Sequence, residues 1–411
     1  MVMAANNNSG NVPVLTATDL EQRLLAFTRE KLAAHETGAA ITVDTLLFED
    51  RVIDSLKVLE LIAFLQSALG RKIPDAQIVL ANFRSIATIA RVFAGGDPVS
   101  ITRTRHRAAA PRPNNEFPLA PTSAKPGLAR TNGKSAVSEM LGRGELELTP
   151  DGGLITRGSA ASLRDYFDAT VCGWALELGA TEETFPAEIP LATLGRAGFT
   201  TAFPQKLVWT GKPGDESARP PAVCYHHYPC IADSTLEGGN SIVTAIGRCH
   251  RNEYDADSLY SVERLRSFTM REIIGVGDAA FIEKLRNQLM DAVSRWTKEL
   301  ALDGHIEVAT DPFFTSEARG RMLMQRMLPL KYELRLRVDA DGRSVAAASF
   351  NNHEQHFGRA FSILLPSGEY AHSGCVAFGW ERWVIAFINQ HGPVEENWPD
   401  VVRSRNVAAN V

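Results

Sequence analysis

The sequence lacks several features that would assign it to a specialised class of protein. Only five of its 411 residues are cysteines, at positions 172, 224, 230, 249 and 375, too few for a disulfide scaffold. No apolar run approaches the roughly 18 residues that a membrane span needs, so no membrane association is expected. The formal net charge of −5 gives no reason to expect a nucleic acid as the main partner. The first residues, 1–13, have neither the basic nor the apolar stretch of a secretory signal, so a cytoplasmic protein is expected.

The composition is that of an ordinary soluble globular protein, with 45% apolar and 22% charged residues. At roughly 100–200 residues per domain, the length allows two or three domains. Changes in composition and periodicity predict four segments: a disordered lead at 1–18, a small helical bundle at 19–96, a flexible linker rich in Pro, Ala, Arg and Ser at 97–140, and a globular domain at 141–411.

Helical periodicity defines the bundle. One helix is expected to begin at Asp19 as its N-cap, and a second runs from Asp54 to a stop at Gly70. A short helical segment at 75–83 and a last helix at 85–93 follow. The long loop at 36–52 carries apolar residues that could pack back onto the helices.

This bundle resembles an acyl or peptidyl carrier protein, because the string Val52-Ile53-Asp54-Ser55-Leu56 places a serine at the start of the second helix. In that family the serine carries 4′-phosphopantetheine, and the resemblance implies the same for Ser55. A phosphodiester at this position meets the positive end of the helix dipole and free amides. The alternative is that Asp-Ser-Leu is simply a helix start.

The segment from 141 onward alternates strand and helix patterns without βαβ order. Strands are predicted at 145–148, 154–156, 222–228, 242–249, 306–309, 330–339, 344–350 and 361–365; helices at 162–178 and 278–302; and a strand passing into a helix at 375–388. This pattern predicts an α+β fold, with an antiparallel sheet flanked by helices.

Residues 247–277 predict a site for a nucleotide triphosphate. Arg251 and Glu253 close one apolar run, and a second run carries Arg264 and Arg266 before Phe268. Guanidinium groups bind phosphate in a forked geometry, and an aromatic ring can stack on a base. The run ends at a carboxylate, Glu272, that this reading leaves unused.

Three stretches, taken in order, resemble motifs 1, 2 and 3 of the class II aminoacyl-tRNA synthetases: Thr200–Pro204, the run just described, and Gly374–Arg382. Glycines in the third let the backbone approach ATP closely, and Arg382 can lie over the adenine. Strings at 331–334 and 349–352 are similar to those of the seryl branch. Within it, the chain looks most like the amino acid:[carrier protein] ligases, which lack a tRNA-binding arm.

The resemblance implies specific roles. Arg251 and Glu253 would contact the α-phosphate and adenine, Phe268 would stack under the base, Arg264 and Arg266 would meet the other phosphates, and Arg251 and Arg382 would be catalytic. The seryl branch holds Mg²⁺ with a glutamate where this chain has Ala346, so Glu333 is the candidate here. Motif 1 marks the dimer interface in the family, which implies a homodimer.

The resemblance also implies a zinc ion held by Cys, Glu and Cys. Glu272 and Cys375 match two of these positions, and Cys224 matches the first better than its competitor Cys230. Three protein ligands leave one position open, which could take a deprotonated amino group. His226 and His227 lie on a predicted strand, so at most one would face the site. His353 and His356 are expected in the pocket or the core.

The predicted function is therefore ATP-dependent activation of a small amino acid, glycine or alanine, as an aminoacyl-adenylate. The aminoacyl group would then pass to the phosphopantetheine thiol of a carrier protein, either the chain's own domain or a partner, and no tRNA is expected. The alternatives are a seryl-type tRNA synthetase and a synthetase-like binding module with lapsed catalysis.

Overall fold

The computed structural model describes residues 16–32, 41–48, 52–53, 57–74, 77–78, 80–94, 116–117, 130–131, 134–212, 214, 216–252, 261–309, 330–339 and 341–403. Two of the predicted site residues, Ser55 and Glu253, lie outside these ranges. The chain divides into two compact units, a smaller one of residues 1–113 with 310–329 and a larger one of residues 114–309 with 330–411. Among the described residues, no helix has both the length and the apolar character that crossing a bilayer requires.

The smaller unit is helical where it is described. Its α-helices are α1 (Ala17–Phe27), α2 (Lys57–Leu69), α3 (Leu80–Phe83) and α4 (Ile86–Phe93), and a π-helical turn at Thr28–Leu32 extends α1. Thr16, not Asp19, is the N-cap of α1: its hydroxyl accepts a hydrogen bond from the Asp19 amide at 3.2 Å and donates one to the Asp19 carboxylate at 2.6 Å. Asp19 is therefore the third residue of the helix, three positions after the true N-cap, and the N-cap prediction was wrong.

One apolar core holds this unit together. The first-loop residues Ile41, Leu47 and Phe48 are buried in it, beside Leu61 of α2 and Phe93 of α4. The loop therefore packs back onto the helices, because its apolar side chains leave water there.

The larger unit contains a sheet and a helical layer. Its helices are α5 (Ala136–Gly142), α6 (Gly158–Glu177), α7 (Leu191–Arg196), α8 (Phe199–Ala202), α9 (His227–Cys230), α10 (Ala279–Glu299), α11 (His356–Ala360) and α12 (Trp380–His391). Its strands are β1 (Glu116–Phe117), β2 (Arg130–Thr131), β3 (Lys134–Ser135), β4 (Leu146–Leu148), β5 (Leu154–Thr156), β6 (Thr181–Glu182), β7 (Ile189–Pro190), β8 (Ser217–Ala218), β9 (Ser241–His250), β10 (Ser267–Gly277), β11 (Gly304–Val308), β12 (Lys331–Arg337), β13 (Ser344–Glu354) and β14 (His372–Gly379).

Eight strands form the main sheet in the order β1-β11-β12-β13-β14-β10-β9-β6. Neighbours are antiparallel except β6 and β9, so the α+β class is as predicted. Helices α6, α10 and α12 cover one face and meet it through an aromatic core that includes Phe167, Trp296, Trp380 and Trp383. The opposite face is left for the candidate site.

Two predicted strands are absent. Residues 223–226 form a 3₁₀ turn that leads into α9, since Pro220, Pro221 and Pro229 cannot donate the hydrogen bonds of a ladder. At 361–365 only isolated bridges form at Leu364, and the left-handed backbone of Ser362, with φ of 54°, interrupts any extended run.

The predicted linker also ends too late. The larger unit begins at residue 114, and α5 lies largely within the range 97–140. Ser135 caps this helix, and Ala136, Val137 and Met140 are buried in the main core. A seven-residue helix is too short to show a clear apolar period, which is why composition dominated the prediction.

Candidate functional site

Strand register brings the central site residues onto one face of the sheet. Residues paired across antiparallel strands point to the same side. Glu272 on β10 pairs with Ala377 on β14. Cys375 stands two residues before Ala377 and so points to the same side; it pairs with Ile274 on β10 and with Asn351 on β13. These side chains therefore share the face opposite the helices.

Three possible metal ligands meet on this face. The 3₁₀ turn before α9 supplies Cys224, and its Sγ, a carboxylate oxygen of Glu272 and the Sγ of Cys375 all lie within 4.8 Å of one another. All three residues are buried, and the Cys224 amide donates a 2.9 Å hydrogen bond to Glu272 Oε2. No second group of three such ligand atoms occurs among the described residues. The competing cysteine, Cys230, is exposed and lies 3.2 Å from the carbonyl of His226.

The electrostatics of this group follow from burial. A hydrogen bond with Cys375, together with burial, raises the pKa of Cys224 well above its usual value. For Cys375 the hydrogen bond with Cys224 lowers the pKa, but burial and the nearby Glu272 raise it by more. Burial likewise raises the pKa of Glu272. The positive charges of Arg251 and Lys331 lower the pKa of Glu272 and of Cys375 in part, but burial outweighs them, so the site disfavours the charged form of these acidic groups.

The donor set fits a zinc ion. Two thiolates that bind one zinc ion at about 2.3 Å in a tetrahedron have their sulfur atoms about 3.8 Å apart. The three ligand atoms here lie within 4.8 Å of one another, so small movements would bring them to that arrangement. Two sulfurs and one carboxylate are ligands that zinc accepts, and three protein ligands leave one position open.

A second layer of polar groups surrounds Cys375. Asn351 Nδ2 lies 3.4 Å from its Sγ, and His353 Nε2 lies 3.7 Å from it. Tyr228, fully buried in α9, places its hydroxyl 3.3 Å from His353 Nδ1. Sequence reasoning gave no role to Tyr228 or Asn351, because pairing register and the fold of the 222–230 segment decide these contacts.

Two of the predicted nucleotide-binding residues are in contact. The Arg251 guanidinium lies 5.2 Å from the centre of the Phe268 ring, and its Nε donates to the carbonyl of Pro221 at 2.9 Å. Phe268 pairs with Cys249 and lies on the same face of β10 as Glu272. A cation over an aromatic face is attractive, so the pair is pre-positioned.

The remaining arginines, Arg264 and Arg266, lie just before β10. The Arg266 amide donates to the carbonyl of Gly152 at 2.8 Å and its carbonyl accepts from the Arg251 amide at 2.9 Å, while its Nε is buried without a hydrogen-bond partner. Arg264 is half-buried, and its amide bonds the carbonyl of Ser261. The backbone of Arg266 is thus anchored beside Arg251.

Arg382 and Glu333, the two remaining predicted site residues, are held by contacts with groups other than Arg251 and Phe268. Arg382, on the first turn of α12, donates to the carbonyls of Glu263 and Ala346 at 3.2 and 3.0 Å. Glu333 pairs with Ser349, on the site face, and its carboxylate lies 3.3 Å from Lys331. Arg335 lies 3.6 Å from the same carboxylate. The role of Glu333 toward Mg²⁺ stays a prediction, as does the role of Arg382 over adenine.

The two neighbouring histidines do not alternate as on a strand. Both are buried: His226 stacks on Phe185 at 5.3 Å, and His227 Nδ1 lies 3.1 Å from Glu183. Neither belongs to the group of three ligand atoms. Helical geometry, not strand alternation, sets their directions.

Comparison with known proteins finds similarity to amino acid–[acyl-carrier-protein] ligases and to serine–tRNA ligases. No family model matches it. It is 31% identical over 234 residues to amino acid–[acyl-carrier-protein] ligase 1 of Bradyrhizobium diazoefficiens, covering 57% of this chain and 66%, just under two thirds, of the relative. It is 30% identical over 245 residues to ligase 2 of the same organism, covering 53% of this chain and 72% of the relative.

The fold agrees with a related group. The type-2 serine–tRNA ligase of Methanopyrus kandleri is 24% identical over 315 residues, which cover 66% of this chain and 58% of that protein. The solved structure of M. kandleri SerRS in complex with A. aeolicus tRNASec matches with a TM-score of 0.59 at 21% identity, over 70% of this chain and 64% of that one. The chain therefore belongs to the amino acid–[acyl-carrier-protein] ligase family and has the fold of the serine–tRNA ligases.

Proposed function

We propose that the protein uses ATP to activate a small amino acid as an aminoacyl-adenylate and transfers it to a phosphopantetheine thiol on a carrier protein. The observation that supports this best is the placement of two sites on one strand. Phe268, with Arg251 above it, and Glu272, with the two cysteines, share one face of β10. Four residues at about 3.3 Å each separate them by about 13 Å, a length that a ribose and an α-phosphate can span.

At the nucleotide end, the Phe268 ring stacks on adenine and Arg251 donates to the α-phosphate. Its bond to the Pro221 carbonyl fixes the guanidinium plane, so little ordering is left for substrate binding. Glu253 reads the adenine, Arg382 lies over it, and Arg264 and Arg266 meet the outer phosphates. Glu333 would hold a Mg²⁺ ion, which would supply positive charge to the phosphates. Positioning and electrostatic stabilisation supply the rate enhancement, and no protein nucleophile is needed.

At the amino-acid end, Cys224, Glu272 and Cys375 hold a zinc ion. When bound, the ion supplies an open coordination position for a deprotonated α-amino group. Tyr228 stacks on Phe357 at 4.0 Å and packs in one apolar cluster with Cys375, which supports a small amino-acid side chain at this end of the site. One methyl group is worth about 1–3 kcal/mol of discrimination, so glycine and alanine are both activated, at different rates.

In the transfer step, the phosphopantetheine sulfur forms a bond to the activated carbonyl carbon. The bond from that carbon to the phosphate oxygen breaks, AMP leaves, and the thiol proton passes to solvent. The acceptor is the arm on Ser55 of the chain's own carrier-like unit or the arm of a separate carrier. Support for Ser55 comes from the Val52–Leu56 string and from the helical unit around it.

ATP–pyrophosphate exchange over a panel of amino acids tests the first step. Glycine or alanine should support exchange, and the Ser55→Ala variant should keep it. Exchange with none of glycine, alanine and serine would contradict the proposal. Charging of tRNA with serine by the purified chain would instead favour the synthetase activity named for the M. kandleri relative.

Intact mass tests the second step. The chain is first treated with coenzyme A and a phosphopantetheinyl transferase, and then with ATP and amino acid. An aminoacyl mass on the wild-type chain, absent from Ser55→Ala, shows loading in cis. A Ser55→Ala chain that still loads a separate carrier shows that loading in trans also occurs.

A further inference from the structure

His353 lies at a β-bulge near the end of β13, on the face of the sheet that carries the proposed metal site. Asn352 pairs with Gly374 and Glu354 pairs with Ser373, so two residues of β13 oppose one step of β14. Glu354 adopts a left-handed backbone with φ of 50°, and its amide donates to Asn352 Oδ1 at 2.9 Å. His353 stands two residues after Asn351, which shares the site face with Cys375, so strand alternation places the imidazole on that face, and the left-handed residue of the bulge follows it.

The imidazole is held on both ring nitrogens. Nε2 lies 3.7 Å from Cys375 Sγ, whereas Nδ1 lies 3.3 Å from both the Tyr228 hydroxyl and the Ser373 hydroxyl. The ring also meets Phe357 edge to face at 4.9 Å. Tyr228 and Ser373 are fully buried, so both hydroxyls need a partner within the protein.

These contacts select one tautomer when a metal is bound. A cysteine that ligates a metal is a thiolate, which has no proton to donate. The ring nitrogen that faces it must therefore carry the proton, and the other nitrogen must accept. Two hydroxyl groups stand at Nδ1, where either can donate to it.

We propose that His353 is a positioning residue for Cys375, with its Nε2–H donating a hydrogen bond to the Cys375 thiolate and its tautomer fixed by the hydroxyls of Tyr228 and Ser373. This rests on the proposed function, because it requires Cys375 to be a metal ligand. His353 lies outside the group of three mutually close ligand atoms, so it orients a ligand and leaves the fourth position for substrate. Asn351 Nδ2, 3.4 Å from the same sulfur, provides a second N–H group.

Metal binding by the full-length chain tests this. The metal-free protein is titrated with Co²⁺, and the sulfur-to-cobalt charge-transfer band is recorded; zinc release to a chromogenic chelator is timed in parallel. Loss of an outer hydrogen bond to a ligand typically weakens metal binding by about 10–100-fold, so His353→Leu should weaken binding by that factor and shift the band. His353→Gln places an amide N–H near the position of Nε2–H and should restore most of the affinity.

A matched control is His356→Gln, because that histidine lies on α11 with its Nε2 2.9 Å from the Ala197 carbonyl and should leave metal binding unchanged. Wild-type affinity, release rate and spectrum in His353→Leu would overturn the inference. Should that variant fail to fold, the double variant Tyr228→Phe with Ser373→Ala removes both hydroxyl groups at Nδ1 and keeps the stack on Phe357; unchanged zinc release in it would also overturn the inference. A wild-type chain that binds neither Zn²⁺ nor Co²⁺ would instead refute the metal site of the proposed function, and the inference with it.

Discussion

A buried ion pair on the helix side of β10 supports the strand that carries Glu272. Arg271, with 3% of its side chain exposed, donates to the two carboxylate oxygens of Asp168 on α6 at 2.6 and 2.8 Å. It also reaches Glu182 at 3.0 Å, and Trp380 Nε1 donates to Asp168 at 2.9 Å. Asp168 therefore joins α6, β10 and α12.

Replacing Asp168 with alanine should strongly destabilise the larger unit. Removing one partner of a buried ion pair costs about 3–5 kcal/mol, because the other charge stays buried, and the lost acceptor for Trp380 adds about 1 kcal/mol. Glu182 still accepts from Arg271, which reduces the loss to about 4 kcal/mol. At about 2–4 °C per kcal/mol for a unit of this size, Tm should fall by on the order of 10 °C.

Tryptophan fluorescence during urea unfolding is the assay, because all six tryptophans belong to the larger unit and report on it alone. Asp168→Asn is the matched control: it keeps the acceptor oxygen and removes the charge, so its loss should be about half as large. A loss below about 1 kcal/mol in Asp168→Ala would refute the reasoning, since that is the range of ordinary surface changes.

Three further predictions concern the metal ligands, the nucleotide site and the stability of the fold in acid. Cys224→Ala should abolish stoichiometric zinc binding and Cys230→Ala should not, as measured by metal analysis, because only the first lies in the buried group. Phe268→Ala should raise the KM for ATP in pyrophosphate exchange by about tenfold, from a lost stack worth about 1–1.5 kcal/mol, and Phe268→Tyr should not. Burial, with nearby arginines, lowers the pKa of His250 from 6.5 to about 4, so the unfolded chain binds more protons in that window. The free energy of unfolding should fall by about 1–2 kcal/mol between pH 6.5 and pH 4, allowing for solvent screening. In His250→Asn it should fall by less, and urea unfolding at each pH measures both.

Each of these has a contradicting outcome. Zinc retained by Cys224→Ala, or lost from Cys230→Ala, would reverse the choice between the two cysteines. An unchanged KM in Phe268→Ala would remove the stacking role. If the free energy of unfolding of His250→Asn fell as much between pH 6.5 and pH 4 as that of the wild-type chain, other titratable groups would be responsible for the fall.

Periodicity and capping were sufficient for the regular elements of the fold. Asp278 caps α10 and Ser85 caps α4, each close to its predicted start, because side-chain capping acts within one helical turn. Predictions failed where prolines flank an apolar run, at 222–228, and where a helix is short, at 136–142. In both places packing, not local pattern, decides the conformation.

The sequence by itself determined which groups are available: a ring and arginines on one run, with Glu272 four residues after Phe268 and therefore on the same face of a strand. Only the tertiary structure decided which of Cys224 and Cys230 meets that carboxylate, and which polar groups surround Cys375. The reason is physical: alternation along a strand is local and is written in residue spacing. By contrast, the register between β13 and β14, the bulge at His353 and the turn that carries Cys224 result from packing of segments far apart in the chain.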